Sequence, residues 1–144
     1  MIFRKATLAD TSPITELSGQ LGYPSSTEKM QERLQQMLGN DDHCIYVCEQ
    51  DAKVTGWIHA FYSLTVESDP CVEIAGLVVD ETQRSKGIGR MLIGKVAAWA
   101  HEKKISRIRV RSRMTRKETH RFYLKNGFTE IKDQKVFDLP LDQS

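Results

Sequence analysis

The apolar and polar residues of this chain change period several times, which predicts both strands and helices. The opening segment IFRKAT alternates between apolar and polar residues, as a short first strand does. Apolar residues at Ile14, Leu17 and Leu21 then recur at helical spacing, and a second apolar stripe runs from about 26 to 38. These two segments predict a pair of consecutive helices.

Three apolar segments in the middle of the chain predict strands. CIYVCEQ (44–50) and VTGWIHAFYSLTV (54–66) are joined by a polar turn at 50–53 and should form a hairpin. CVEIAGLVV (71–79) is almost continuously apolar, which is typical of a strand buried on both faces. Strict alternation along this strand would put the following residues on one face: Glu73, Ala75, Leu77 and Val79.

The second half of the chain predicts two more helices and further strands. A strong helical pattern starts at two glycines, Gly87 and Gly89, and should end near Lys104. ISRIRVRS (105–112) alternates with period 2, which predicts a strand with one face of arginines: Arg107, Arg109 and Arg111. The pattern then predicts a helix over about 117–126 that ends at a glycine, and a closing pair of strands over 128–131 and 136–139. The order βααβββαβαββ indicates a mixed α/β sheet.

Composition limits the class of protein. The chain has 144 residues and a formal net charge of +2, so we expect one domain over 1–144 and no general attraction to nucleic acid or membranes. Its longest charge-free stretch, Val54–Val66, is shorter than the about 20 apolar residues of a membrane span. The N-terminal residues lack the apolar core of a signal peptide. The 3 cysteines lack metal-ligand spacing, so we expect reduced thiols, a cytoplasmic location and no metal.

The most informative segment is EIAGLVVDETQRSKGIGRMLI (73–93), which reads as a buried strand, a short loop and a helix that begins at two glycines. Glycines at a helix start let the backbone approach an anion, toward which the helix N-terminus points its unpaired N–H groups. A phosphate-bearing ligand fits this arrangement. The segment has neither the spacing of a P-loop nor the third glycine of a dinucleotide fingerprint, since Leu92 stands at that position. A plain tight turn is the alternative interpretation.

Two separated motifs resemble the GCN5-related N-acetyltransferase (GNAT) family. QRSKGIG, after a strand that ends in VVD, resembles the coenzyme A pyrophosphate loop of that family, and HRFYLKNGF (120–128) resembles its C-terminal helix and following strand. The resemblance implies a mixed, mostly antiparallel central sheet with helices on both faces. It also implies that acetyl-CoA is the donor and that a primary amine is the acceptor. The overall pattern is similar to the aminoalkylphosphonate acetyltransferase branch.

The resemblance assigns the coenzyme to two stretches of chain. At the end of the buried strand, backbone groups of Leu77, Val78 and Val79 are expected to bind the pantetheine and the acetyl carbonyl, where the strand should splay from its neighbour; an ordinary core strand is the alternative. The loop residues expected to surround the pyrophosphate are Arg84, Ser85, Lys86, Gly87, Ile88, Gly89 and Arg90. Family members often have an asparagine just after the strand that ends at Ser112, and here Ser112 is the candidate substitute.

Two side chains are candidates for proton transfer. Tyr123 stands where the family places a tyrosine near the coenzyme sulfur, so it could protonate the leaving thiolate or only hydrogen-bond it; packing beside Phe122 and Phe128 is the alternative. Glu73 lies on the apolar strand at the distance from the glycines at which the histone-modifying branch carries a glutamate. It could accept the proton of the amine, directly or through water, or it could be a buried carboxylate paired with an arginine.

Other functions remain open at this point. Eight basic residues and no acidic one lie between Lys103 and Lys117, which could form a face that contacts nucleic acid, although the acidic rest of the chain disfavours it. Alternatively Arg111, Arg113 and Arg116 could select an acceptor that carries phosphate, phosphonate or carboxylate. A non-catalytic acetyl-CoA-binding regulatory module is a third interpretation. The acceptor itself, a small amine or a peptide, is not determined by the sequence, and the resemblance often implies a homodimer.

Overall fold

The computed structural model describes residues 1–20, 22, 25–111 and 117–141. The chain divides into two compact units, residues 1–111 and 112–144, each described by itself. Along the described part of the first unit, the elements follow in this order: β1 (Ile2–Lys5), α1 (Thr11–Gln20), α2 (Thr27–Leu38), β2 (His43–Gln50), β3 (Lys53–Thr65), β4 (Ser68–Val79), α3 (Ile88–Glu102) and β5 (Ile108–Val110). Short 3-10 turns at Leu8–Asp10 and Glu81–Gln83 precede α1 and α3.

The five strands form one sheet in sequence order, β1-β2-β3-β4-β5. The first four strands pair antiparallel, and β5 pairs parallel with β4. The β2–β3 hairpin closes through Asp51 and Ala52, whose φ values of 50° and 62° match the left-handed turn that the twist of a hairpin favours. The predicted mixed, mostly antiparallel sheet is therefore confirmed.

Each face of the sheet is covered by helices. On one face, α1 and α2 pack on β2 and β3 through a core of Ala6, Ile14, Leu17, Leu34, Ile45, Val47, Val54 and Val78. Leu34 is only 2% exposed, and burial of a leucine stabilises a fold by about 1.5–3 kcal/mol. On the other face, α3 lies close over Gly56, where an added Cβ would be 3.1 Å from the Ile88 side chain. No helix in the described ranges is long and apolar enough to cross a membrane.

An irregularity in β4 changes which of its residues share a face. His59 lies opposite Gly76, whereas the next residue on β3, Ala60, lies opposite Ile74. Ala75 therefore has no partner on β3 and is an extra residue in a β-bulge. The prediction that Glu73 shares a face with Leu77 and Val79 is therefore wrong. Glu73 lies opposite Phe61, on the face that α1 and α2 cover, whereas Leu77 lies opposite Ile58 on the α3 face.

The second unit contains α4 (Lys117–Lys125), which ends two residues before the predicted glycine. Gly127 has a φ of 92°, the left-handed conformation that favours glycine after a helix. Residues 128–141, all described, form no strand, so the closing pair at 128–131 and 136–139 is a wrong prediction. Apolar side chains of the predicted pair are exposed: Ile131, Val136, Phe137 and Leu139. An alternating segment becomes a strand only where another strand pairs with it.

Candidate active site

The loop between β4 and α3 has the backbone geometry of an anion site. The Asp80 carboxylate accepts a hydrogen bond from the Thr82 N–H at 3.0 Å and fixes the start of the loop. Ser85 and Gly87 both have left-handed φ values, 69° and 80°. Where residues in left-handed and right-handed conformations alternate, successive backbone N–H groups point to one side of the chain. They form a concave site that binds anions. An added Cβ at Gly87 would meet no atom within 4 Å, so the loop is open at this point.

The N-terminus of α3 adds unsatisfied donors at the same place. Gly87 precedes the helix and, being a glycine, supplies no capping side chain to the first N–H groups. The positive end of the helix dipole favours negative charge there. Arg84, Lys86 and Arg90 are exposed around the loop, and the Lys86 ammonium donates to the Gln83 side chain at 3.0 Å. This donor set fits a pyrophosphate.

Beside this loop, no described strand pairs with the outer edge of β4. In the described residues β5 pairs with β4 only at Val72, Glu73 and Ile74, while β4 continues to Val79. The residues expected to bind the pantetheine thus extend past the paired part of the strand. Val78 is buried in the core between the sheet and its helices, so its side chain stabilises the fold while the backbone edge beside it stays open.

Glu73 is held in an ion pair. The Nε of Arg111 donates to a Glu73 carboxylate oxygen at 3.3 Å, and the Glu73 side chain is 14% exposed against 52% for Arg111. The structure thus shows the arginine-paired alternative for Glu73, and the role of this carboxylate as a base stays a prediction. The other two arginines proposed to select the acceptor, Arg113 and Arg116, lie outside the described residues. Ser112, the candidate coenzyme contact, does too.

A histidine pair that the sequence analysis missed lies on the same face. His43 Nδ1 and His59 Nε2 are 2.9 Å apart, and their ring centroids are separated by 5.2 Å. Burial, helped by the neighbouring His43, lowers the pKa of His59 to about 4, so His59 is neutral at pH 7. The ring of Phe61, which lies opposite Glu73, is 6.3 Å from that of His59. The two histidines are brought together only by the pairing of β2 with β3, so the sequence around either histidine does not indicate the pair.

The arginines predicted to line one strand face are not equivalent in the structure, where β5 spans only Ile108–Val110. Arg109 lies beside Glu73 in the β4–β5 register, is half-buried, and has its Nε buried without a hydrogen-bond partner in the part of the chain described. Arg107 is exposed. Lys103, another member of the predicted basic stripe, places its ammonium 4.9 Å over the Trp99 ring. These residues therefore do not make one continuous solvated face, which weakens the nucleic-acid interpretation.

Tyr123 belongs to the second unit and is packed between two aromatic rings. Its ring centroid lies 5.2 Å from that of Phe122 and 5.3 Å from that of Phe128, edge-on in both cases. Burial raises the pKa of Tyr123 to about 12. Tyr123 thus packs between the two phenylalanines, as the packing alternative expects. Because its pKa is raised, the phenol is protonated at neutral pH and can donate a hydrogen bond.

The cysteines do not suit covalent acyl transfer. Cys44, Cys48 and Cys71 are all free and buried, and Cys71 is 1% exposed. Burial raises the pKa of Cys44 to about 12, which keeps it a thiol. No group of three His, Cys, Asp or Glu side chains in the described ranges is arranged to hold a metal ion.

Comparison with known proteins establishes the family. Residues 11–128 match the Acetyltransferase (GNAT) family. The chain is also 28% identical over 99 residues to the uncharacterized N-acetyltransferase YhdJ of Bacillus subtilis, a match that covers 68% of this chain and 70% of YhdJ. The chain therefore belongs to the GNAT family, is an acyltransferase, and takes acetyl-CoA as its co-substrate.

Solved structures confirm the fold. The aminoglycoside antibiotic 6'-N-acetyltransferase AAC(6')-IG from Acinetobacter haemolyticus superposes with a TM-score of 0.87 at 19% identity, over 99% of this chain and 100% of that one. The aminoglycoside N-acetyltransferase AAC(6')-Iy, in complex with a bisubstrate analogue of CoA and acetylneamine, gives 0.86 at 17% identity, over 97% and 98% of the two chains. At this level of identity the likeness concerns the fold.

Proposed function

We propose that this acetyltransferase moves the acetyl group of acetyl-CoA directly to the primary amine of a small molecule, or of a peptide, in a ternary complex. One observation carries the proposal: the edge of β4, which no described strand pairs with beyond Ile74, leads straight into the open glycine loop and the N-terminus of α3. A thioester bound along that edge would have its pyrophosphate at the donor-rich loop. The inaccessible cysteines support direct transfer over a covalent acyl-enzyme.

The coenzyme would be held mainly by backbone groups. N–H groups from 84–90 would bind the pyrophosphate, with Arg84, Lys86 and Arg90 supplying charge. Backbone groups of Leu77, Val78 and Val79 would bind the pantetheine. When bound, acetyl-CoA supplies an acetyl group activated as a thioester. A backbone N–H on the β4 edge would stabilise the negative charge that develops on the thioester carbonyl during transfer.

The acceptor would approach from the sheet face that carries Glu73. A primary amine with a pKa near about 10 is an ammonium ion at neutral pH and must lose a proton before it attacks. The Glu73 carboxylate, directly or through water, is our candidate to accept that proton. Its ion pair with Arg111 would hold the carboxylate in one orientation for this step.

Tyr123 would assist the departing thiolate as a hydrogen-bond donor. Its pKa of about 12 lies well above the about 8.5 of an ordinary thiol, so complete transfer of its proton to the sulfur is uphill. A hydrogen bond from the neutral phenol stabilises the thiolate without that cost. The proposal keeps the prediction of one domain over 1–144, and a family match that runs over 11–128 supports it. Three free thiols support a cytoplasmic location.

The test is calorimetric titration of the protein with acetyl-CoA. We expect micromolar binding to the unmodified protein and none to Gly87→Trp, which fills the loop and forces a bulky residue into a left-handed conformation. Gly94→Trp is the matched control, because Gly94 lies on an exposed part of the same helix with nothing within 4 Å of its would-be Cβ. Absence of binding to the folded, unmodified protein would refute the proposal.

A further inference from the structure

The indole ring of Trp57 covers Gly76 on the sheet face against which α1 and α2 pack. Trp57 lies opposite Val78, so Gly76 is its diagonal neighbour on β4, within reach of a large aromatic side chain. A Cβ added at Gly76 would be 2.8 Å from Cη2 and 3.0 Å from Cζ3 of the indole, too close for a side chain. Gly76 does not have a left-handed φ. The glycine is therefore needed to make room for the ring, and not for the backbone conformation.

The indole has little freedom to move away from Gly76. Trp57 packs against the apolar core that contains Val78, and a closely packed core resists displacement of its side chains. The strand surface beside the ring is nevertheless accessible, because Ala75 is exposed and both Leu77 and Trp57 are partly exposed. A ligand that reaches this part of β4 therefore meets a rigid aromatic side chain.

This part of β4 is where the thioester is expected. Gly76 lies beyond Ile74, the last residue that β5 pairs with, and directly before Leu77, the first residue proposed to bind the pantetheine. Glu73, the candidate base, lies on the same sheet face as Trp57. An acyl group that an amine beside Glu73 can reach is therefore expected to lie against the indole.

We propose that Trp57 limits the donor to short acyl groups: the indole leaves space for the methyl of an acetyl group and excludes the longer chain of a butyryl group. The inference rests on the proposed function and specifies which donors the same site accepts. A filled pocket discriminates against an extra methylene by about tenfold or more, since the added carbon has to displace packed atoms. Trp57 determines specificity and takes no part in proton transfer, because it presents the ring carbons Cη2 and Cζ3 to this position.

The direct test measures binding and needs no acceptor. The protein is titrated calorimetrically with CoA, acetyl-CoA, propionyl-CoA and butyryl-CoA. We expect butyryl-CoA to bind the unmodified protein at least about tenfold more weakly than acetyl-CoA. Trp57→Phe removes the ring atoms that cover Gly76 and keeps an aromatic ring against the core, so it should bind butyryl-CoA about as tightly as acetyl-CoA. CoA itself should bind both proteins equally, which shows that the variant is folded and its loop intact.

Fluorescence gives a second readout that does not depend on any variant at Trp57. The chain has 2 tryptophans, so Trp99→Phe leaves Trp57 as the only one. Trp99 lies on α3, at the other face of the sheet, which makes Trp99→Phe the matched control: it should discriminate between acetyl-CoA and butyryl-CoA as the unmodified protein does. In this variant acetyl-CoA should change the Trp57 emission saturably, whereas CoA, which lacks the acyl group, should leave it nearly unchanged.

The inference is overturned if butyryl-CoA and acetyl-CoA bind the unmodified protein equally, or if Trp57→Phe keeps the preference for acetyl-CoA. It is also overturned if acetyl-CoA binds Trp99→Phe and changes the Trp57 emission no more than CoA does. In each of these cases acetyl-CoA still binds, so the proposed function survives. Absence of acetyl-CoA binding to the unmodified protein would instead refute the proposed function, and this inference with it.

Discussion

The guanidinium of Arg111, one residue beyond the end of β5, donates to the carboxylate of Glu73 on β4, with Nε and Oε1 3.3 Å apart. The side chain with the strongest claim to act as a base is therefore already engaged by a cation. That arrangement keeps the carboxylate in one orientation on the sheet face that the acceptor would use.

We expect Glu73→Gln to lower kcat about 10²-fold at pH 7, the scale typical of a lost general base. The amide keeps an oxygen for the hydrogen bond with Arg111, so the fold should be retained. The loss should shrink as the pH rises toward the about 10 at which the amine deprotonates itself. The measurement is thiol release between pH 7 and 9.5, with Glu67→Gln, an exposed residue between β3 and β4, as control. A deficit that is independent of pH would argue against the base role.

Tyr123→Phe separates chemistry from packing, because phenylalanine preserves the edge-on contacts with Phe122 and Phe128. We expect kcat to fall at least about tenfold, with the affinity for acetyl-CoA and the Tm nearly unchanged, since only the hydrogen bond to the leaving thiolate is lost. Tyr62→Phe is the control, since Tyr62 pairs with Val72 on the face of the sheet opposite Glu73. Unchanged turnover would leave Tyr123 as a packing residue.

Asp10 should make the stability depend on pH. Its carboxylate accepts two hydrogen bonds from Arg4, at 2.8 and 2.9 Å, and its side chain is 5% exposed. The hydrogen bonds from Arg4 hold the pKa of Asp10 below its usual range. A depressed carboxyl pKa contributes stability that is present above the unfolded-state value of about 3.9 and is lost as the pH falls through the lower folded value.

We therefore expect Asp10→Asn to lower the free energy of unfolding by about 2 kcal/mol at pH 7, less than for a fully buried pair because Arg4 is 33% exposed. The difference from the unmodified protein should shrink below pH 4. Urea unfolding at pH 7, 5 and 3 measures it, with the exposed Asp69→Asn as control. A constant difference across that range would mean that the charge of Asp10 is irrelevant.

The exposed apolar side chains after α4 bear on the predicted homodimer. Phe137 is 88% and Val136 90% exposed, and exposed apolar segments of this kind mark protein contacts. If a second copy covers them, Phe137→Ser should shift the mass in sedimentation equilibrium from dimer toward monomer at micromolar concentration. The control Thr129→Ser changes an exposed polar residue of the same segment. A monomeric unmodified protein would refute the homodimer.

The sequence by itself determined the elements and the coenzyme loop, because both depend on local chemistry. Helical and strand periods identified α1–α3 and β1–β4, and Ser26 caps α2 by accepting from the Lys29 N–H at 3.2 Å, as a serine before a helical stripe predicts. The coenzyme loop could be predicted from its glycines, its basic residues and the helix that follows it. These features act within a few residues, so a linear pattern records them.

Tertiary structure decided everything that depends on register. The extra residue Ala75 moved Glu73 to the face of Phe61, and no alternation rule records such a bulge. The same register brought His43 to His59, and Arg109 beside Glu73, from positions distant in the chain. The 128–141 segment alternates between apolar and polar residues like a strand but forms none. A strand needs a second strand to pair with, and the alternation within one segment does not show whether such a partner is present.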